Sequence, residues 1–337
     1  MNIYSSELLY KDIKKNYKKR DKIITETTNL NRKFDLAKDF NLSSFNNWLS
    51  ETSDLSDYTY KHNIVLNNNK IIIYTKTANL YDSVDKETID DIVSVVLTLN
   101  EFFNREKGQK IVILPTKCKK EFNLIKGEVL GPKNCNSGFT VFDNENTIYL
   151  IRLEEIIKVL IHEMLHANEC ERDFKIKNSR LLFFESYVEF LALSLNIIFY
   201  MLKRDIQYSE FKNLIDRECF YSTIKMKQIL DYYDIKNTNI LLDKGFSQKT
   251  AVFEYYIIKT IMLYKYDKFF NLIDNKLKVK KDNINNHVDI YLENIFKILS
   301  SPRFNYIINK ITNSTITEYL DKYQIPLNSL RMTSITI

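Results

Sequence analysis

The chain has little glycine and little proline, five and four residues among 337. A β-sandwich or a β-barrel with many tight turns needs more of both, because these residues supply the backbone conformations of turns. Hydrophobic residues make up 45% of the chain and charged residues 27%, which excludes a disordered protein. We therefore expect a folded, mainly helical protein of about two domains.

Cysteine is also scarce and shows no metal-binding spacing. Cys118, Cys135, Cys170 and Cys219 lie far apart, and no CxxC pair occurs. The N-terminus lacks the apolar core of a secretory signal. We expect free thiols in a reducing compartment, and hence an intracellular, cytoplasmic protein.

The positive charge is small and concentrated near the N-terminus. Residues 1–33 hold nine basic and four acidic side chains, which accounts for +5 of the formal net charge of +6. A basic run such as residues 14–20 could contact phosphate groups, but a solvated helical face is the commoner explanation. We expect no nucleic-acid partner, and an autoinhibitory or docking role for this segment stays open.

One apolar stretch, residues 181–203, is long enough to span a bilayer. It carries Glu185 and Glu189 in its first half, and acidic residues near the centre of a membrane helix cost about 2.5–3.5 kcal/mol each on insertion scales. We therefore expect a buried core helix and no membrane span.

Hydrophobic patterns divide the chain into three expected segments: a polar, mostly helical segment at 1–60, a core domain at 61–203 and a helical subdomain at 204–337. Within the core domain, short β-branched runs predict strands, and longer periodic runs predict helices. The strands are expected at 71–74, 110–116, 138–142 and 147–152, the last two as a hairpin, and the helices at 83–106, 153–169 and 181–203. These patterns predict an α+β protein that is predominantly helical.

An HExxH motif lies in the helix expected at 153–169 and consists of His162, Glu163 and His166 with two intervening residues. Histidines at i and i+4 lie on one face of a helix, so both rings can bind one Zn²⁺ at about 2.0–2.1 Å. Glu163, beside the first histidine, is placed to reach a water in the open coordination position. A chance HExxH is expected in roughly three per thousand chains of this composition.

A catalytic zinc needs a third protein ligand. The metzincin pattern is excluded, because Glu169 and Arg172 stand where that class needs a glycine and a histidine. Glu171 and Asp173 are close in sequence, but the helix must end and reverse before either can approach the metal. Glu185, which follows the second histidine by 19 residues and lies on the next expected helix, suits the geometry better.

The motif and this spacing resemble the gluzincins, HExxH metallopeptidases whose third zinc ligand is a glutamate on the next helix. The 18 residues between His166 and Glu185 are the spacing of aminopeptidase-type gluzincins. The resemblance implies a zincin-like fold, with a small sheet packed on the HExxH helix, and one Zn²⁺ held by His162, His166 and Glu185. It also implies that Glu163 is the general base. In thermolysin-like members an acid four residues after the ligand glutamate supports the first zinc histidine, and Glu189 occupies that position.

The resemblance covers about residues 138–200, and the sequence departs from the family pattern at two positions. Asn168 stands where a hydrophobic residue is common, and Phe184 stands where an asparagine commonly precedes the ligand glutamate. The subfamily is therefore unassigned. No motif identifies the residue that supports the oxyanion, and the candidates are His287, Tyr232, Tyr233, Tyr255 and Tyr256.

The function implied is that of a zinc metallopeptidase acting on a peptide or protein substrate. Two alternatives stay open: a zinc hydrolase of a non-peptide amide, and a catalytically inactive zincin-like interaction protein. The strand at 147–152, if it forms the edge of the sheet, could bind an extended peptide by strand addition. Cleavage specificity, endopeptidase or exopeptidase action and oligomeric state are not indicated by the sequence.

Overall fold

The structure is a computed structural model. The residues that it describes are 5–18, 25–32, 57–105, 108–123, 125–143, 146–171, 182–238, 248–271, 273–278 and 293–337. About 52% of these residues are helical, and the strands form one six-stranded mixed sheet. The fold class predicted from the sequence, α+β and mainly helical, is confirmed at this level.

The regular elements are numbered in chain order. The helices are α1 (Ser6–Asn16), α2 (Lys86–Phe102), α3 (Pro132–Cys135), α4 (Ile156–Ala167), α5 (Phe183–Lys203), α6 (Phe211–Tyr232), α7 (Lys259–Tyr264), α8 (Tyr266–Phe270), α9 (Pro302–Lys310) and α10 (Asn313–Lys322). The strands are β1 (Thr25–Asn29), β2 (Tyr60–Leu66), β3 (Asn69–Thr75), β4 (Lys110–Thr116), β5 (Gly138–Val141) and β6 (Thr147–Arg152). Two 3₁₀ helices (Leu80–Asp82 and Tyr208–Glu210) and a π-helix (Glu254–Ile258), which runs directly into α7, are also present. Residues 293–299 form a further helix.

The chain forms two compact units, each built from separate stretches. The sheet unit comprises residues 12–119, 136–168 and 337, and the helical unit comprises residues 1–11, 120–135 and 169–336. Helix α5 belongs to the helical unit and β1 belongs to the sheet unit. The division into three consecutive segments stays a prediction. The central part of the segment expected to be helical at 1–60 lies outside the described residues.

The sheet has the strand order β1-β2-β3-β4-β6-β5. Strands β3, β4 and β6 run parallel, and the remaining pairs are antiparallel. Helix α2 connects β3 to β4 and buries Ile89, Ile92 and Val96. The strands predicted at 71–74 and 110–116 and the helix predicted at 83–106 are confirmed, with the helix a few residues shorter.

The predicted hairpin is confirmed. β5 pairs antiparallel with β6, and Gly138 lies opposite Leu150. Strand β6 lies between β4 and β5, so the condition that it forms the sheet edge is not met, and β5 is the last strand of the described sheet. All six residues of β6 are buried, as an interior strand covered on both faces requires, whereas β5 is half-buried throughout.

Helix α5 forms the centre of the helical unit. It is the one helix among the described residues that is long and apolar enough to cross a membrane, and 89% of its apolar window is buried inside the protein. It packs against α6, the π-helix and α7. The predicted core helix at 181–203 is therefore confirmed.

Candidate metal centre

Helix α4 carries the HExxH motif in the sheet unit, and all twelve of its residues are buried. It begins directly after β6: Glu155 adopts a left-handed conformation with φ of 59°, and the backbone N–H of Leu153 donates to the carbonyl of Thr116 at 3.1 Å. This short connection ties the start of the helix to the central strands. The hairpin of β5 and β6 thus leads directly into the motif helix.

The C-terminal end of α4 is capped by side chains. Asn168 donates from its side-chain amide to the carbonyl of Met164 at 2.7 Å. The carbonyl of Ala167 accepts from Arg105 and from Asn146, each at 3.1 Å. The bonds to Ala167 satisfy a carbonyl at the end of the helix, whereas the carbonyl of Met164 also accepts from the backbone N–H of Asn168 at 3.1 Å. Asn168, which departs from the family pattern, thus ends the helix.

The two motif histidines converge at their Nε2 atoms. His162 and His166 are 6% and 8% exposed, and their Nε2 atoms lie 3.1 Å apart. Their rings are inclined at 68° with centroids 4.8 Å apart. The i and i+4 spacing therefore places both rings where the sequence predicted, in a buried position.

This separation suits a shared zinc ion. Zn–N bonds of about 2.0–2.1 Å at a tetrahedral angle place two ligand nitrogens about 3.3–3.4 Å apart, a few tenths of an ångström from the observed distance. Two neutral imidazoles are also the nitrogen donors that Zn²⁺ favours. The same separation accommodates a single N–H···N hydrogen bond between the rings. A measurement of metal content distinguishes the shared zinc ion from this hydrogen bond.

A threonine hydroxyl holds the carboxylate of Glu163. Thr140 of β5 lies 2.9 Å from Glu163 Oε2 and donates to it, and the same hydroxyl lies 3.1 Å from the backbone carbonyl of Glu163. Glu163 is 6% exposed. A carboxylate next to the first histidine, buried and oriented by a neighbouring strand, can accept a proton from a group bound beside it.

Glu185 and Glu189, the other predicted site residues, lie on α5 in the helical unit. Glu185 is in the first turn of α5 and half-buried, and its Oε2 accepts from the hydroxyl of Tyr255 at 3.3 Å. Glu189 is buried one turn later, with its Oε1 4.0 Å from the Nζ of Lys259. Both side chains are positioned by the region around the π-helix.

Three of the tyrosines considered as oxyanion donors bind backbone groups of the helical unit. Tyr232 donates to the carbonyls of residues 125 and 128, Tyr233 accepts from the N–H of residue 130, and Tyr256 donates to the carbonyl of residue 330. Burial raises the pKa of Tyr233 to about 12. Tyr255 is the candidate that contacts a predicted site residue. His287 lies outside the described residues.

Comparison with known proteins identifies no family. No protein-family model matches the chain, and no solved structure matches it. An uncharacterized protein of Acanthamoeba polyphaga mimivirus is 26% identical over 165 residues. That stretch covers 42% of this chain and 42% of the viral protein, so the chain spans less than half of its relative.

The structure adds two residues that sequence reasoning missed or left among several. Thr140 had no signal, because its contact with Glu163 depends on the pairing of β5 with β6 and on the packing of both against α4. Tyr255 was one of four tyrosines, and its contact with Glu185 depends on the π-helix.

Proposed function

We propose that this protein is a zinc-dependent metallopeptidase with a zincin-like sheet unit, of the gluzincin type. The observation that carries the proposal is the pair of buried histidines on α4, whose Nε2 atoms lie 3.1 Å apart beside an oriented glutamate. The wider support is the arrangement of a mixed sheet, an antiparallel edge hairpin and the HExxH helix in continuous order.

His162, His166 and Glu185 are the proposed ligands of one Zn²⁺. Two imidazole nitrogens and one carboxylate oxygen form a ligand set found in catalytic zinc sites. A zinc ion bound there would lower the pKa of its bound water to about 7 and would polarise a carbonyl group. The spacing of Glu185 after the motif and its place in the first turn of the following long helix support its role as the third ligand.

Glu163 is the proposed general base. It removes a proton from the attacking water and then delivers that proton to the nitrogen of the departing amine as the C–N bond breaks. The hydroxyl of Thr140 keeps the carboxylate in one orientation through both transfers. Because Glu163 is buried, competing bulk water has little access to the carboxylate.

An extended peptide is the proposed substrate, bound beside β5. An edge strand offers backbone N–H and C=O groups to a further strand, and strand addition is a common mode of peptide recognition. β5 is therefore proposed for peptide addition in place of β6, which lies inside the sheet. Thr140 on this strand contacts Glu163, so a peptide added there lies next to the proposed general base.

Zinc content and cleavage test the proposal together. Elemental mass spectrometry is expected to find about one zinc per chain in the wild type and little in His162→Ala and Glu185→Ala. Glu163→Gln is expected to retain zinc and to lose cleavage of a peptide library by at least about 100-fold, the usual contribution of a general base.

His62→Gln is the matched control. His62 is a buried histidine whose two ring nitrogens lie near the hydroxyls of Thr27 and Thr75, at 3.0 and 2.7 Å. This variant is expected to keep both zinc and activity. Absence of zinc from folded, zinc-supplied wild type overturns the proposal, as does unchanged cleavage by Glu163→Gln. Zinc binding without peptide cleavage favours the non-peptide hydrolase or the inactive interaction protein.

A further inference from the structure

The π-helix contacts the start of α5 through two consecutive residues. Glu254 Oε1 accepts from the backbone N–H of Leu182 at 2.7 Å, and the hydroxyl of Tyr255 donates to Glu185 Oε2 at 3.3 Å. Leu182 is the N-cap of α5, and Glu185 lies in its first turn. One short segment therefore anchors both the backbone and the carboxylate at the start of this helix.

The backbone contact fixes the N-cap residue of α5. Leu182 has no side-chain oxygen to cap the helix, and its own N–H is one of the donors that a helix start leaves without an intrahelical partner. Glu254 supplies a carboxylate from another element, and its Oε2 accepts from Gln248 at 2.9 Å. Gln248 in turn accepts from the N–H of Phe253 at 2.7 Å. This chain of bonds fixes where α5 begins, and hence where the backbone of Glu185 lies.

The side-chain contact depends on the π-helical turn. π-Helical turns are rare, and they occur frequently at functional sites, because the additional residue changes the direction of the side chains that follow. Here Tyr255 reaches Glu185, whereas its neighbour Tyr256 is fully buried and donates to the carbonyl of Leu330 at 2.5 Å. Two adjacent tyrosines thus have different partners, one a predicted metal ligand and the other a backbone carbonyl.

We propose that Tyr255 is a positioning residue for Glu185, an inference that rests on the proposed function. Its hydroxyl donates to Oε2 and holds the carboxylate in one rotamer, so that the other oxygen would be available to a zinc ion. Hydrogen bonds to ligating carboxylates orient the ligand, and their loss typically weakens metal binding 10–100-fold. This role differs from oxyanion support, in which the hydroxyl would contact the substrate and leave the zinc affinity unchanged.

Zinc affinity measured without substrate tests the assignment. The metal-free wild type and its variants are titrated with zinc against a competing chelator, with circular dichroism to verify the fold. Tyr255→Phe is expected to raise the dissociation constant for zinc about 10–100-fold. Tyr256→Phe, the same change one residue along the π-helix, is expected to leave it within about twofold. Tyr255→Gln, which retains an N–H donor, is expected to recover part of the affinity. This variant shows whether the loss in Tyr255→Phe comes from the missing hydrogen-bond donor.

The outcomes separate this assignment from the proposed function. If the wild type binds no zinc, or if Glu185→Ala binds it as tightly as the wild type, both are overturned. If the wild type binds zinc, Glu185→Ala loses it and Tyr255→Phe binds it normally, the assignment of Tyr255 alone is overturned. A similar loss in Tyr255→Phe and Tyr256→Phe also overturns it, because the effect would then come from the packing of the π-helix.

Discussion

At the scale of single residues, one hydroxyl group orients the proposed general base. We predict that Thr140→Val lowers kcat/KM about 10–100-fold and leaves the zinc content near one per chain. The variant keeps the shape of the side chain but loses a hydrogen bond to a charged group, worth about 1.5–3 kcal/mol. Steady-state cleavage of a peptide and elemental analysis measure the two quantities.

Thr147→Val is the control for this prediction. Thr147 is in the same hairpin, but its hydroxyl donates to Asp143 at 2.9 Å instead of to the motif helix. It is expected to have near wild-type activity. Loss of zinc in Thr140→Val would contradict the role assigned to Thr140, since that residue contacts the general base and no proposed ligand.

A second prediction concerns Glu218, a fully buried carboxyl on α6. Burial raises the pKa of Glu218 above its ordinary value, and hydrogen bonds from Ser334 lower it by less. Because the pKa is higher in the folded chain than in the unfolded chain, this group stabilises the fold fully below its unfolded pKa of about 4.3. That contribution is lost as the pH rises through the folded pKa.

The variant Glu218→Gln has no such titration. The free energies of unfolding of the variant and the wild type are measured with urea from pH 4 to pH 8. The difference, variant minus wild type, is expected to increase as the pH rises, by about 1.4 kcal/mol for each unit by which the folded pKa is raised. Parallel curves for the two proteins over this range would show that Glu218 has the same pKa in both states.

Some residues of the candidate site were predictable from the sequence, and others were not. His162, Glu163 and His166 were identifiable because their geometry depends on the helical repeat alone. The contacts of Thr140 and Tyr255 depend on strand pairing and on a π-helical turn. The hairpin itself was predicted, but neither its packing against α4 nor the π-helical turn has a recognisable local sequence pattern, so these contacts required the structure.

At the scale of elements, the approach of β5 to α4 requires glycine. A Cβ atom on Gly138 would lie 2.9 Å from the carbonyl oxygen of Tyr149 and 2.9 Å from a methyl carbon of Val159. We predict that Gly138→Ala lowers the free energy of unfolding by about 1–3 kcal/mol, as overpacked positions do. Denaturant unfolding measures the change.

Gly131→Ala provides the comparison, because a Cβ there would lie 3.5 Å from its nearest neighbour, an ordinary contact distance. It is expected to change stability by less than about 0.5 kcal/mol. If Gly138→Ala were as stable as Gly131→Ala, β5 would have room to move away from the motif helix, and the position of Thr140 would not depend on this contact.

Elements were predicted well where hydrophobic periodicity is local. The helix at 86–102, the strand at 110–116 and the hairpin before the motif helix lie within a few residues of their expected positions. The order of strands in the sheet was not predictable in the same way. A run with an apolar centre such as residues 147–152 fits an interior strand, yet its neighbours are set by the pairing with β4, which is distant in the chain.

At the scale of the whole chain, residues 329–335 are held by side chains from four helices more than 70 residues earlier. Buried amines of Lys225 and Lys259 donate at 2.8 Å to the carbonyls of Ser329 and Met332. Tyrosine, arginine and asparagine side chains donate to further carbonyls of the segment. Periodicity does not predict such contacts, because they join the backbone of a non-helical segment to side chains that look like solvated charges in the sequence.

Lys259 contacts both this segment, through the carbonyl of Met332, and α5, through Glu189. Lys259 and Glu189 are each 1% exposed and lie 4.0 Å apart. Lys259→Met is expected to lower the free energy of unfolding by about 3–5 kcal/mol, because it leaves a carboxylate buried without its cation. The double variant Glu189→Gln/Lys259→Met removes both charges and is expected to be more stable than the single variant in urea unfolding. A double variant that is less stable than Lys259→Met would mean that the contribution of Glu189 to stability comes from a partner other than Lys259.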